Sequence, residues 1–382
     1  MLDEKKIKVA LVHDFLIQFG GAERFLEALA EMFPAAPIYT ILYDPEKMRG
    51  KFAGRDIRTS FFQKLPKCLR KRYKFLLPLL PTAPETFDLR DFDLVISSSG
   101  AWSKGIVTRL NTIHIAYIHS PMRFVWDYNE KYLQEERKRK FGLFIRPLFS
   151  YFRLWDKLAA DRPDYLIANS KYTQARIKKY YRRESEVIYP PVEMKSEIRN
   201  PKSEINSKLE AQNPKQNTKY FLIISRLSAY KKIDKAIKAF NKLKLPLVIV
   251  GEGKEAERLK KLAGENVKFL GFVPEEKLPE IYAGARAFIF PGVDDFGIAP
   301  VEAMAHGVPV IAIQKGGAKE IVEEGKTGEF FAEATPEKIA AAVSKFLEKE
   351  KNYDREYITK TTERFSKERF VMEFREYIEN MI

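Results

Sequence analysis

At 382 residues the chain is longer than one ordinary hydrophobic core supports, and two domains of roughly 150–190 residues each are expected. A hydrophobic content of 45% with 13% aromatics is globular, the single cysteine, Cys68, excludes a disulfide framework, and a net charge of +15 held mostly within residues 1–190 points to a surface that meets anions. No run approaches the ~20 apolar residues of a membrane span, and the opening Met-Leu-Asp-Glu-Lys-Lys does not read as a secretory leader, so a soluble cytoplasmic protein is expected.

In chain order, a first strand is expected over 7–15 and a helix over 22–33, with Phe25, Leu26, Leu29 and Phe33 on one helical face. The turn between them carries His13-Asp14 and Gly20-Gly21-Ala22-Glu23-Arg24. Paired glycines there let backbone approach a ligand closely, but the spacing is not the G-x-G-x-x-G of nicotinamide-binding domains. Further strands are expected over 37–42, 93–99, 112–119, 165–169 and 186–192. His119-Ser120-Pro121-Met122-Arg123 ends one of them, and Ala168-Asn169-Ser170 ends another. Asp91-Phe92-Asp93 reads as a D-x-D metal motif without a glycine-rich partner, so a strand-edge role is preferred. His114 and His119, five apart on a strand, point to opposite faces and cannot share a metal. With four histidines and no cysteine cluster, neither a metal nor a resident cofactor is expected.

Two stretches of this first half mix cations with aromatics. Residues 61–77 hold six cations and no acid; residues 137–153 hold another six, interleaved with Phe141, Phe144, Phe149, Tyr151 and Phe152. Such stretches suit an anionic membrane surface, cations on headgroups and rings at the acyl boundary. The competing reading is a solvated helix face over an ordinary core.

Around residues 195–219 the character changes: no aromatic, two Asn-Pro steps and a repeated Lys-Ser-Glu-Ile mark an exposed insert without chemistry. The domain boundaries are therefore drawn at 1–192, a linker over 193–218, a second domain over 219–364 and a C-terminal helix over 365–382 that packs back on the first domain. In the second domain, strands are expected over 220–225, 245–251, 267–272, 287–291 and 308–313, and helices over 232–243 and 336–348. Strands alternating with helices in both halves predict an α/β fold with two parallel sheets, each binding beyond the carboxyl ends of its strands.

The sharpest motif follows the strand at 287–291: Gly292-Val293-Asp294-Asp295-Phe296-Gly297-Ile298, then Glu302, then Gly307-Val308-Pro309. Two acids eight apart bracket a turn that opens a helix, an arrangement able to take phosphate on amides and sugar hydroxyls on carboxylates. Directly after the strand at 220–225 comes Ser225-Arg226, with Lys231-Lys232 close behind; fixed cations at a strand end stabilise the charge that grows on a departing diphosphate. Gly271-Phe272-Val273-Pro274 is a glycine turn after a further strand, a pattern many Rossmann-like loops share; for Gly316-Gly317, after another, a purely structural reading is nearly as good.

These residues resemble glycosyltransferase family 4, whose E-x7-E signature the segment 294–302 matches with Asp in the first acidic place. His119 through Asp127 is similar to the HSP/HTP-M-R-x-x-W-D run of bacterial mannosyltransferase-like members. The resemblance implies a GT-B architecture of two Rossmann-like domains facing a cleft, and retaining, metal-independent transfer of a sugar (mannose from GDP-mannose is the favoured donor) to a glycan or lipid-diphosphate-linked acceptor. It implies catalytic roles for His119, Arg226, Lys231 and Asp294. It places Gly20, Gly21, Asn169, Val273, Phe296, Gly297, Ile298 and Glu302 at the donor, with Asp294 on the transferred sugar, Glu302 on the ribose and the turn at Val273 on the nucleobase. The alternatives are a sugar-nucleotide epimerase of the same fold, a catalytically inactive partner, and a basic nucleic-acid-binding protein; no RNA-binding or helix-turn-helix signature supports the last. The expected location is the cytoplasmic face of the plasma membrane.

Overall fold

A computed structural model describes residues 7–127, 142–194 and 219–382. It divides into two α/β domains, one made of Met1–Pro191 with Phe370–Ile382 and the other of Val192–Arg369. The expected linker lies mostly outside the described residues, as do Arg137, Lys138, Arg139, Lys140 and Phe141 of the second basic stretch.

The first domain is a seven-stranded sheet: β1 (Val9–His13), β2 (Ile38–Thr40), β3 (Ile57–Thr59), β4 (Leu94–Ser99), β5 (Ile113–Ile118), β6 (Tyr165–Ala168) and β7 (Glu186–Val187). Its order is β3-β2-β1-β4-β5-β6-β7, with every pairing parallel. Parallel strands need crossovers that cover both faces, which is why β1, β4 and β5 are buried along nearly their whole length rather than at alternate residues. One face, through Leu11, Ile96, Ile115 and Tyr117, packs on Phe25, Leu26 and Leu29 of α1 (Gly21–Met32). The other, through Ala10, Val12 and Val95, packs on Trp102 and on Phe149, Phe152 and Trp155 of α2 (Gly142–Ala159). A third helix, α3 (Lys171–Tyr180), starts where Ser170 Oγ accepts from the Thr173 amide.

The second domain holds β8 (Tyr220–Ile224), β9 (Leu247–Val250), β10 (Val267–Gly271), β11 (Ala285–Phe290), β12 (Val310–Ile313) and β13 (Gly328–Phe331). Their order is β10-β9-β8-β11-β12-β13, again parallel throughout. Helix α4 (Ile233–Leu243) buries Ile233, Ala236, Ile237 and Phe240, the spacing of one helical face, and Phe240 meets Phe221 of β8 with ring centroids 5.0 Å apart. The eight-residue α5 (Ile298–Ala305) follows β11, and α6 (Pro336–Lys349) is capped by Thr335, whose hydroxyl accepts from the Lys338 amide. The last helix, α7 (Lys367–Met381), belongs to the first domain from Phe370 onward. Its Phe370, Phe374 and Ile378 are fully buried against Phe25 and Tyr117.

Two strands lie outside the sequence expectation. β3 is three residues at the sheet's edge, too short to show a pattern, and β13 opens on Gly328, whose hydrogen atom faces the Val310 carbonyl where a Cβ would stand only 1.9 Å from oxygen. The strand expected over 186–192 shrinks to two residues because Pro190 and Pro191 end its pairing. Val192 instead bridges to Ser366 and donates its amide to the Phe365 carbonyl at 2.9 Å, within the second domain. No helix of the described residues is long and apolar enough to cross a membrane.

Candidate active site

In each sheet the strand order reverses once, between β1 and β4 and between β8 and β11. Loops leaving the carboxyl ends of such neighbours diverge to opposite faces and open a crevice, where ligands of open α/β sheets bind.

At the first reversal Asp14 organises the ground. Its carboxylate accepts from the amides of Gly100, Ala101, Trp102 and Ser103 at 2.9, 2.7, 2.9 and 2.6 Å, so the turn after β4 is built around the residue after β1. His13 Nδ1 lies 3.0 Å from Ser98 Oγ, and Ser98 Oγ lies 2.8 Å from His119 Nε2. Glu23, in the first turn of α1, stands with Oε1 3.6 Å from His13 Nε2. Gly20 caps α1, and a Cβ built on it would lie 3.2 Å from the other Glu23 oxygen. Gly21 is the first helical residue. Asn169 donates from Nδ2 to the His119 carbonyl at 3.0 Å. His119 and Asn169, read separately from the sequence, are therefore adjacent. Burial, with the His13 ring adding to it, pushes the His119 pKa down to about 3, so the imidazole is neutral near pH 7.

The run after His119 is held from beneath. Arg176 of α3 donates to Ser120 Oγ at 2.8 Å and to the Pro121 carbonyl at 3.2 Å, and pairs with Asp127. Trp126 stacks on Tyr180 at 4.8 Å. Deeper, Lys104 and Asp156 form a buried ion pair at 2.5 Å, and Asp156 also accepts from Trp126 Nε1 at 2.8 Å and Tyr181 Oη at 2.9 Å. His114 is neutral as well, pushed to about 3 by full burial, and meets Ser97 Oγ at 2.8 Å. Ser97 and Ser98 are consecutive on β4, so the two histidines lie on opposite faces of the sheet.

At the second reversal, the loop after β8 carries Arg226 and Lys231, and the loop after β11 carries Asp294. Lys231 Nζ pairs with the Asp294 carboxylate and lies over the Phe290 ring, 5.7 Å from its centroid. Arg226 donates to Tyr230 Oη at 3.2 Å. A Cβ at Gly292 would meet the Lys231 Cα at 2.9 Å, so only glycine lets the two loops touch. The Gly317 amide, after β12, donates to the Asp294 carbonyl at 3.0 Å and ties in a third loop. Phe296 is buried. Gly297, at φ 109°, turns the chain so that α5 begins at Ile298. Glu302, on α5, is approached by Tyr282 Oη at 3.3 Å, and the Tyr282 ring stacks on His306 at 4.9 Å. Val273 stands on its own loop after β10, half-buried beside an exposed Phe272. Lys232 adopts a left-handed conformation as the cap of α4, a structural post. Asp93 accepts from the Lys8 amide at 2.9 Å at the edge of β4. Among the described residues, no group of three or more His, Cys, Asp or Glu could hold a metal ion.

The second-domain cluster thus offers two cations and a carboxylate at a strand end, with a second carboxylate on the helix that follows. Such a set can neutralise a diphosphate and hold hydroxyls at fixed places. Sequence reasoning missed Ser98, Arg176 and the Lys104 and Asp156 pair. The available signal was three consecutive serines, Ser97, Ser98 and Ser99, in a strand otherwise fully apolar, since buried hydroxyls require partners.

Comparison with known proteins adds three findings. Residues 19–196 match the model of Glycosyltransferase Family 4, and residues 205–364 match that of Glycosyl transferases group 1. An uncharacterized glycosyltransferase of Methanocaldococcus jannaschii is 26% identical over 76% of each chain. A GDP-mannose-dependent alpha-(1-6)-phosphatidylinositol monomannoside mannosyltransferase of Mycobacterium tuberculosis is 30% identical over 49% of this chain, a stretch that spans only 53% of that protein's length. Among solved structures, Anabaena HepE in complex with UDP superimposes with a TM-score of 0.70 at 20% identity, covering 98% of this chain and all of that one.

Proposed function

The chain belongs to the family 4 and group 1 glycosyltransferases of the GT-B fold, and from that premise we propose that it moves mannose from GDP-mannose, with retention of configuration, to a glycan or lipid-diphosphate-linked oligosaccharide. The carrying observation is the meeting of Lys231 and Asp294 at the reversal between β8 and β11. As the bond from the anomeric carbon to the diphosphate oxygen breaks, Arg226 and Lys231 take up the growing charge without reorganising. Asp294 accepts from sugar hydroxyls, and Glu302, steadied by Tyr282, accepts from the ribose. The acceptor oxygen bonds to the same face of the anomeric carbon, and its proton passes to the departing phosphate. His119 and Asn169 hold carbohydrate hydroxyls, and the loop at Val273 meets the nucleobase. Mannose rests on the activity named for the mycobacterial relative. The cationic pair supplies the charge a metal would otherwise bring, so the reaction is read as metal-independent.

A thermal-shift screen of GDP-, UDP- and ADP-sugars without added metal tests the donor. GDP-mannose is expected to raise Tm by several degrees, more than any other; a larger shift with a UDP-sugar would reassign the base, and no shift with any would remove the donor site.

The acceptor side is read as a membrane-facing surface. Phe75 is 83% exposed, and Leu69, Leu79, Tyr151, Leu154 and Leu158 are exposed too. Both segments that carry them rest on one sheet face, since Phe62 and Leu65 share a core with Phe149 and Phe152. Lys64, Lys67, Arg70 and Arg146 lie within these segments, each worth ~1 kcal/mol at an anionic surface. Arg153 donates to the Val125 carbonyl and to Ser150 Oγ, both at 3.0 Å. The protein is expected to float with vesicles containing anionic lipid, and Phe75→Glu combined with Leu154→Glu to abolish flotation. Equal flotation with neutral vesicles, or none with either, counts against this reading.

A further inference from the structure

Glu23, His13, Ser98 and His119 come from α1, β1, β4 and the end of β5, and they stand in line. A serine hydroxyl has one proton. With a ring nitrogen at 3.0 Å on one side and another at 2.8 Å on the other, Ser98 can donate to one imidazole while accepting from the other. Glu23 decides the direction. Its carboxylate faces His13 Nε2 at 3.6 Å, so the His13 proton sits on Nε2, because a lone pair there would confront an anion. With a neutral His13 ring, Nδ1 accepts the Ser98 O–H, and the Ser98 oxygen accepts from His119 Nε2–H. His119 is neutral and has a single ring proton, which leaves the lone pair on Nδ1.

We propose that Glu23, His13 and Ser98 are positioning residues that hold His119 in its Nε2–H tautomer, presenting Nδ1 as an acceptor for a hydroxyl of the bound carbohydrate. The inference rests on the reading of His119 as a residue that touches substrate. Asn169 supports it from the other end, since its amide fixes the His119 backbone while the relay fixes the ring. A neutral, pre-oriented acceptor selects a hydroxyl donor over an anion.

The test uses histidine-15N-labelled full-length protein and long-range 1H–15N spectra, with His119 assigned through His119→Gln. His119 is expected to show a protonated Nε2 and a bare Nδ1. Ser98→Ala and Glu23→Gln, the latter able to offer an N–H to His13 and so reverse the relay, are expected to mix or invert the tautomers. Both should lower kcat roughly 10–100-fold, by analogy with the loss of an outer partner of a metal-ligating histidine, with the donor KM little changed. Ser98→Thr, which keeps the hydroxyl, should restore both readouts, and an unaltered donor-induced shift in Tm shows that each variant folds. A protonated Nδ1 in the wild type, or tautomers indifferent to Ser98→Ala and Glu23→Gln, overturns the relay whatever the activity. Wild-type kcat in His119→Gln with the tautomer as expected overturns the substrate-contact reading alone.

Discussion

Lys231→Ala and Arg226→Ala are each expected to lower kcat by roughly 10²–10³, the effect of removing one preorganised donor from a site where charge develops. Lys231 is the more consequential. Its ammonium pairs with Asp294 and is only 15% exposed, so screening of its charge by water and salt is weak. Alanine removes that charge and takes the ammonium partner away from the Asp294 carboxylate. Lys231→Arg is not a conservative repair, because a planar fork cannot occupy the place of a compact ammonium between Tyr230, Phe290 and Asp294. Arg226 sits at the strand end with Tyr230 Oη as a partner, and its loss should weaken the same step. The measurement is single-turnover transfer at saturating donor, with donor Kd followed separately so that binding and chemistry are distinguished. Near-normal turnover in both variants would sink the assignment of these cations to the departing diphosphate.

Asp156→Ala is expected to destabilise the first domain by about 3–5 kcal/mol, the range for breaking a buried ion pair from one side. The carboxylate is fully buried and answers three donors: Lys104 Nζ, Trp126 Nε1 and Tyr181 Oη. Without it the ammonium keeps the Ala101 carbonyl at 2.5 Å and two aromatic faces, of Trp155 and Tyr181, near 5.5 Å. Those contacts do not neutralise a charge in that setting. Tyr181 stays a donor at any ordinary pH, since burial and the adjacent carboxylate push its pKa well up. Lys104→Met added to Asp156→Ala should recover part of the loss by removing the stranded charge, but Trp126 and Tyr181 would remain without their acceptor. Denaturant unfolding at fixed pH reads both variants, and a loss below about 1 kcal/mol in Asp156→Ala contradicts the expected role.

The residues explain why some of this was legible and some was not. Parallel strands covered on both faces write themselves as apolar runs, so Ala10-Leu11-Val12 and Leu247-Val248-Ile249-Val250 were readable without any partner in view. Residues at strand ends were readable too, because a cation or histidine placed just after such a run has a predictable location at the sheet's carboxyl edge. What could not be read was pairing across distance. Ile57–Thr59 is a strand only because Ile38–Thr40 lies beside it. Lys104 and Asp156 are each unremarkable in sequence and acquire meaning only when the turn after β4 is brought under α2. Ser98 was hidden similarly: a serine in a strand shows that some partner exists, but not that two histidines share it.

The placement of Phe370, Phe374 and Ile378 beside Phe25 carries a consequence for how the chain is made. The first domain cannot close its hydrophobic core until α7, which follows the whole second domain in the chain, has left the ribosome. The second domain, contiguous from Val192 to Arg369, has its whole core available earlier. Emergence order and completion order are therefore reversed. The first domain waits with one flank of its interior uncovered, and nascent chains need chaperone cover along α1 until α7 emerges.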